Sequence, residues 1–432
     1  MKKKQLFAWV LSAATLVSMA GCGGNPSAST GEASSVSSGA MSSAGSEETK
    51  TVNVFTKKRE WNWDLIESSF EAANPGYDLV VDITEADSYV DTLKGYLATG
   101  DLPDVIQTNS GYNIELWKEH LIDISDMDIL SRMNPDIVKE YQMSDGIYGI
   151  PLFAEYHGVI YNMDYLGQAG INKAPETLDE FIDMNQKLVA AGLPTGISAW
   201  KSAGPITGHM TAPIFSAHDD SLAYMKEIAA GAVDLKTEEL WTGQLDYLDA
   251  VRTYGNKDAL NTDNTTERNA MYAGQYAWYG HDGSWVTPAL RSTNAAMEEN
   301  LVLGVYPYTN DASKNKIGVS TQSLSIMDTP NAENAKVFVT WLLGTDEGCD
   351  IMAKECNVVM LRTDYEMTAD SIGKLAVQGL ELVKAGKGAT NFRWIPDEIV
   401  PGINSAYQKY IAEAQTREQT LDEIQTLFSS VA

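Results

Sequence analysis

From residue 51 the chain alternates between two hydrophobic periods. Thr51-Val52-Asn53-Val54-Phe55 alternates apolar with polar positions, as a half-buried strand does. After a polar, aromatic loop at 57–63, the pattern changes to that of a helix over 64–73, with Asp64 as its N-cap or first-turn acid. Asn74-Pro75-Gly76 ends it. A strand at 79–83, a helix at 87–98 and a strand at 105–106 follow, the last introduced by Asp101-Leu102-Pro103-Asp104. This βαβαβ order predicts a largely parallel sheet, whose ligands sit beyond the carboxyl ends of the strands. Two loops, 57–63 and 107–112, fall at that edge. Trp63 fits either the loop or the first apolar position of the helix, and Asp104 fits a cap on neighbouring backbone.

Residues 148–166, YGIPLFAEYHGVIYNMDYL, read differently. Two apolar runs flank a polar centre, Glu155-Tyr156-His157-Gly158. Pro151 and Gly158 oppose a continuous helix, and Val159-Ile160-Tyr161 favours a strand. A carboxylate, a phenol and an imidazole set between buried strands are costly unless hydrogen-bonded or used.

Further along, Pro175-Glu176-Thr177 opens a helix with Thr177 as N-cap and Glu180 completing a capping box. Residues 196–200 predict a strand ending in an exposed ring, Trp200. In 271–290, MYAGQYAWYGHDGSWVTPAL, the pattern predicts a short helix, a strand at 276–279, a turn at 281–283 and a helix from about Ser284. Trp278 lies on the apolar strand and reads as core. His281 and Asp282 follow at the strand's carboxyl end, where they suit hydrogen bonds to hydroxyls. His209 and His218 do not form a recognised metal spacing, so no metal and no cofactor is expected.

Composition narrows the partners. With 59 acids against 31 Lys and Arg in 432 residues, the formal charge is −28, which opposes nucleic-acid binding. Ten Trp and twenty Tyr against nine Phe suit wet, concave sites, because these rings pair an apolar face with a polar edge. Lys2, Lys3 and Lys4 precede an apolar stretch at 6–17, a secretory signal too short to span a membrane comfortably. Met19-Ala20-Gly21-Cys22 resembles a bacterial lipobox, which implies cleavage before Cys22 and acylation of its thiol. Losing the three lysines then takes the charge from −28 to −31. Residues 23–50, rich in Ser, Gly and Ala, predict a flexible tether reaching roughly 30 Å. Cys349 and Cys356, seven residues apart, would stand about 10.5 Å apart on one helix, which favours free thiols over a bridge. The sequence contains no G-x-x-x-x-G-K-[ST], G-x-S-x-G or H-E-x-x-H.

The words D-G-I-Y-G-I-P at 145–151, Y-N-x-D-Y-L-x-x-A-G-I from Tyr161 and P-E-T-L-D-E-F from Pro175, with T-D-E-G at 345–348, resemble the family 1 extracellular solute-binding proteins, sugar receptors of bacterial import transporters similar to maltose-binding protein. The resemblance runs with interruptions over residues 50–432. It implies a two-lobed α/β fold of the periplasmic-binding type II, with a hinge of three crossings. The lobes would be 51–154 with 304–347, and 155–303 with 348–432. It implies a monomeric lipoprotein on the outer face of the cytoplasmic membrane, carrying a carbohydrate to a permease, and no catalysis. By position in the family's loops it assigns ligand contacts to Lys58, Arg59, Trp61, Asn109 and Tyr112 in the first lobe. In the second it assigns Glu155, Tyr156, Trp200, His281, Asp282, Trp285, Arg393 and Trp394. Two alternatives stand beside it. Lys57, Lys58 and Arg59 suit a phosphate ester, and Glu155 with Asp282 would suit a glycan-acting enzyme.

Overall fold

The expected strand–helix alternation is met at the start of the fold. β1 (Lys50–Lys57) buries Val52, Val54 and Phe55, the helix Trp63–Ala73 follows, and β2 (Tyr77–Thr84) returns parallel to β1. Asn62, not Asp64, caps the helix: its side chain accepts from the Leu65 N–H, and Asp64 sits in the first turn, where the dipole favours an acid. Trp63 is the first helical residue and is buried. The helix Tyr89–Thr99 leads to β3 (Val105–Thr108) on the far side of β1. Asp104 accepts from the Asn53 backbone N–H at 2.8 Å, the structural role expected of it.

The computed structural model describes residues 49–57, 61–85, 88–109, 111–201, 203–390 and 395–431, all within one unit. β4 (Gln142–Met143) and β5 (Gly146–Ile147) make a small hairpin before β6 (Ile150–Asn162). β6 is one strand of 13 residues, where the sequence suggested two runs around a polar centre. Pairing explains the difference. β10 (Ile317–Ile326) lies antiparallel along its first half, while β8 (Trp278–Gly283) and β9 (Leu301–Gly304) ladder with its second half. With β7 (Gly196–Ile197), the order is β2-β1-β3-β10-β6-β8-β7. β11 (Val359–Met360) adds to β6, and β12 (Gly388–Thr390) to β10.

Two apolar cores pack against this sheet. One gathers Val52, Phe55, Phe70, Phe153, Phe338 and Trp341; the other gathers Phe181, Trp241, Trp278, Tyr407 and Phe428. Trp278 is core as expected, its indole donating to Asn185 Oδ1 at 2.8 Å. Trp200 is core too, at 3% exposure, against the expectation of an exposed ring. β7 ends at Ile197, and the Trp200 backbone N–H then bonds Ala259 O, turning the ring inward. Thr177 caps the helix Leu178–Ala190, but Glu180 reaches back to the N–H of Glu176, one residue before the cap. Cys349 and Cys356 are buried free thiols, and burial pushes both up to about 11. Among the described residues, no helix is long and apolar enough to cross a membrane.

Candidate ligand-binding site

Period-two alternation along β6 and β10 builds the floor of a cavity of about 490 Å³. Glu155 on β6 stands opposite Ser320 on β10, and both line it; Gln322, two residues on, lines it as well. His157, two residues after Glu155, lies opposite Gly318. A Cβ at Gly318 would meet His157 Cε1 at 1.7 Å, so only glycine lets the imidazole lie against this backbone.

Gln322 is held from behind. Gln107 Nε2 donates to Gln322 Oε1 at 2.9 Å, and Gln107 Oε1 accepts from Thr56 Oγ1 at 2.7 Å and from the Lys57 N–H. Gln107, in β3, is thus a buried residue behind the wall. Lys57 and Trp61 line the cavity from the preceding loop, and the Trp61 ring packs edge-on against Phe153 at 5.3 Å.

The opposite wall comes from the helix Asn264–Tyr272, started by Asp263, whose carboxylate accepts from the Thr266 N–H. Asn264, Arg268 and Tyr272 are spaced by four, fall on one helix face and all line the cavity. His281 on β8, Trp285 in the turn after it, and Pro205 and His209 complete this side.

Charges here are settled within the protein. Arg268 Nε and Nη2 donate to the two Asp282 carboxylate oxygens at 2.9 and 3.2 Å, a bidentate pair. Burial raises the Asp282 pKa, and the guanidinium opposes this. Burial pushes Glu267 well above the usual carboxylate range, and the nearby Asp282 adds to the effect, favouring its protonated form. Burial, then His209 and Arg268, hold His281 well below its ordinary value, so its imidazole is neutral near pH 7. Tyr306, fully buried, places its hydroxyl 2.7 Å from His281 Nδ1 and 3.0 Å from His157 Nδ1.

Of the residues expected at the site, Trp61, Glu155, His281 and Trp285 line the cavity. Tyr156 does not: as the neighbour of Glu155 on an extended strand it points to the other face, where its ring covers Gly379. Asp282 does not line it either. Residues 281–283 continue β8 instead of forming a turn, so Asp282 is buried against Arg268 and does not join Glu155 in a carboxylate pair facing the cavity. Asn109 is buried, its backbone N–H donating to Asn113 Oδ1, and Trp200 is core; neither reaches the cavity. Tyr112 begins the helix Tyr112–Trp117. Lys58, Arg59, Arg393, Trp394 and Cys22 lie outside the described residues. Arg268 and Gln322 were not foreseen. The stripe at 264, 268 and 272 was a readable signal for the first, but nothing local distinguishes Gln322.

Comparison with known proteins agrees with this architecture. The chain is 23% identical over 356 residues to the multiple sugar-binding protein of Streptococcus mutans, covering 79% of this chain and 83% of that one. A family 1 extracellular solute-binding protein from Bifidobacterium longum subsp. infantis superposes with a TM-score of 0.71 at 18% identity, over 89% of this chain and 100% of that one. A Bacillus licheniformis sugar transporter protein, solved with stachyose, gives 0.68 at 19% identity, over 88% and 100%. The fold is therefore the two-lobed α/β fold expected from sequence. With its family model matched over residues 45–348, the chain belongs to the bacterial extracellular solute-binding proteins.

Proposed function

We propose that this protein is the carbohydrate receptor of a bacterial import transporter, binding an oligosaccharide between its lobes and presenting it to a permease. The observation that carries the reading is the cavity itself. Two indoles, Trp61 and Trp285, line it together with Glu155, Arg268, His281, Ser320 and Gln322. Flat apolar rings match the C–H faces of sugars, and fixed polar groups match their hydroxyls. Arg268 and Gln322 are each oriented by a buried partner, so little is lost in ordering them when a sugar arrives. The sugar-binding relative and the stachyose complex support the same class of ligand.

The lobes are residues 51–154 with 304–347, and 155–303 with 348–432, hinged where the chain crosses between them. Closure excludes water from the cavity, and the permease reads the closed state, which requires tighter sugar binding to closed than to open lobes. Acylation of Cys22 holds the monomeric body to the outer face of the membrane on its Ser- and Gly-rich tether.

The test is a thermal-shift screen of the full chain against mono- and oligosaccharides, sugar phosphates and peptides. A true ligand at 100 times its Kd stabilises by about 2.7 kcal/mol. A shift with one saccharide class, the sugar recovered intact, supports the receptor. A response to phosphate esters alone moves the ligand to an anion held by Lys57 and Arg268. Cleavage products would overturn a binding role.

A further inference from the structure

Three of the five histidines in this chain converge beside the cavity, His209 and His281 on its wall and His157 buried behind them. His157 comes from β6, His209 from the end of the helix Gly204–Gly208, and His281 from β8. Each offers a ring nitrogen such that the three lie within 4.8 Å of one another. His209 Nδ1 and His281 Nε2 face each other at 3.0 Å. The His157 ring lies 4.3 Å from that of His209 and 5.7 Å from that of His281, centroid to centroid. Spacing along the sequence hides this. The sequence neighbour of His209, His218, stands apart, its ring stacked on Tyr224 at 3.5 Å.

We propose that His157, His209 and His281 form a binding site for one divalent transition-metal ion of the Zn²⁺ class, with a fourth position open to the cavity. Three imidazole nitrogens are a donor set that zinc accepts while keeping one position for water or a ligand oxygen. Nitrogens at the usual 2.0–2.1 Å from a tetrahedral ion stand about 3.4 Å apart. The His209–His281 pair, at 3.0 Å, is already near that separation, and the third nitrogen lies within 4.8 Å of both, so it has at most about 1.4 Å to close. The surroundings are those of a built site. Tyr306 Oη contacts Nδ1 of both His157 and His281, and a phenol oxygen with two lone pairs can accept both N–H groups once Nε2 of each ring turns to a metal. This is the outer-shell contact that fixes the tautomer and orientation of metal-bound histidine. Gly318 supplies the space for the first ring. A solute oxygen bound at the open position would then be selected by the metal as well as by the indoles. The metal site does not depend on which solute the cavity takes.

The experiment titrates Zn²⁺, with no solute present, into chelator-treated full chain, and follows heat and the visible absorption of the Co²⁺ form. One ion per chain is expected, with the d–d bands of a tetrahedral nitrogen site. His209→Ala and His281→Ala should each weaken binding at least tenfold and abolish those bands, while His218→Ala and His120→Ala change neither. Melting curves establish that each variant is folded. His157 is fully buried and its replacement is the one at risk of misfolding, so His209→Ala, at the cavity wall, decides the matter. Binding no tighter than millimolar, or tight binding that survives His209→Ala in a folded protein, would reduce the cluster to a hydrogen-bonded imidazole chain. Several weak ions per chain unaffected by any histidine variant would assign the metal to the acidic surface and overturn the site.

Discussion

The two faces of β6 and β8 carry neighbouring residues to opposite fates. On the cavity face stand Glu155 and His281; one residue away on the other face stand Tyr156 and Asp282. The cavity face keeps polar groups that meet solvent or ligand. The other face admits polar groups only when protein satisfies or covers them, as Arg268 does for Asp282 and Gly379 does for the Tyr156 ring. Substitution on the buried face should therefore cost stability, and on the cavity face affinity. The largest expected effect tests the first half. Asp282→Ala leaves Arg268 without its carboxylate. Because Asp282 is buried but the Arg268 side chain is 35% exposed, the loss should fall below that of a fully buried pair, at about 2 to 3 kcal/mol. It should be read from the denaturant midpoint at unchanged slope. An unchanged midpoint would mean that the pair does not hold this wall.

Next in size is Trp285→Ala on the cavity side. An aromatic anchor in a binding pocket is worth about 2 kcal/mol or more on truncation, so saccharide affinity should fall roughly 30-fold. The melting temperature of the ligand-free protein should move little by comparison. If affinity holds and stability falls instead, Trp285 belongs with Trp278 as core.

Gln107→Leu probes a residue that serves both faces. Gln107 is fully buried and its carboxamide joins Thr56, the Lys57 backbone and Gln322. Its replacement leaves those groups unsatisfied, for a stability loss of about 1 to 2 kcal/mol. A parallel loss of affinity should follow through a disoriented Gln322, measurable by calorimetry on the same sample. Affinity unchanged beside lost stability would show that Gln322 does not touch the ligand.

The same comparison shows what could be read from the chain. The βαβαβ start was legible because Val52, Val54 and Phe55 alternate and because Asn74-Pro75-Gly76 stops the helix between two strands. Glu155 and His281 were legible as polar residues at the centre and end of apolar strands, whereas Trp61 and Trp285 came from the resemblance to the family's loops. Tyr156 and Asp282 were misplaced for one reason: a loop or turn lets neighbours share a site, whereas a strand separates them. Residues 281–283 look like a turn because His-Asp-Gly is good turn chemistry, yet β6 alongside supplies the ladder that keeps them extended. Gln322 and the histidine cluster depend on strands and helices distant in sequence, which local pattern does not encode.

The smallest predicted effect lies away from both faces and calibrates the others. Thr177 caps the helix Leu178–Ala190 by accepting from the Glu180 N–H at 3.3 Å, and no residue of that helix lines the cavity. Removing the hydroxyl leaves one N-terminal amide without its cap and alters nothing that a ligand touches. Thr177→Ala should thus cost about 1 kcal/mol of stability. The displaced half of the capping box sharpens the expectation. Glu180 bonds the Glu176 N–H, not that of Thr177, so its contact survives the substitution and the loss should stay at the size of a single cap. The melting temperature should drop by a few degrees or less in a chain of this length, with the saccharide Kd unchanged within error. A change in Kd would mean that this helix is coupled to lobe closure. Affinity losses in the cavity variants would then have to be divided between contact and hinge.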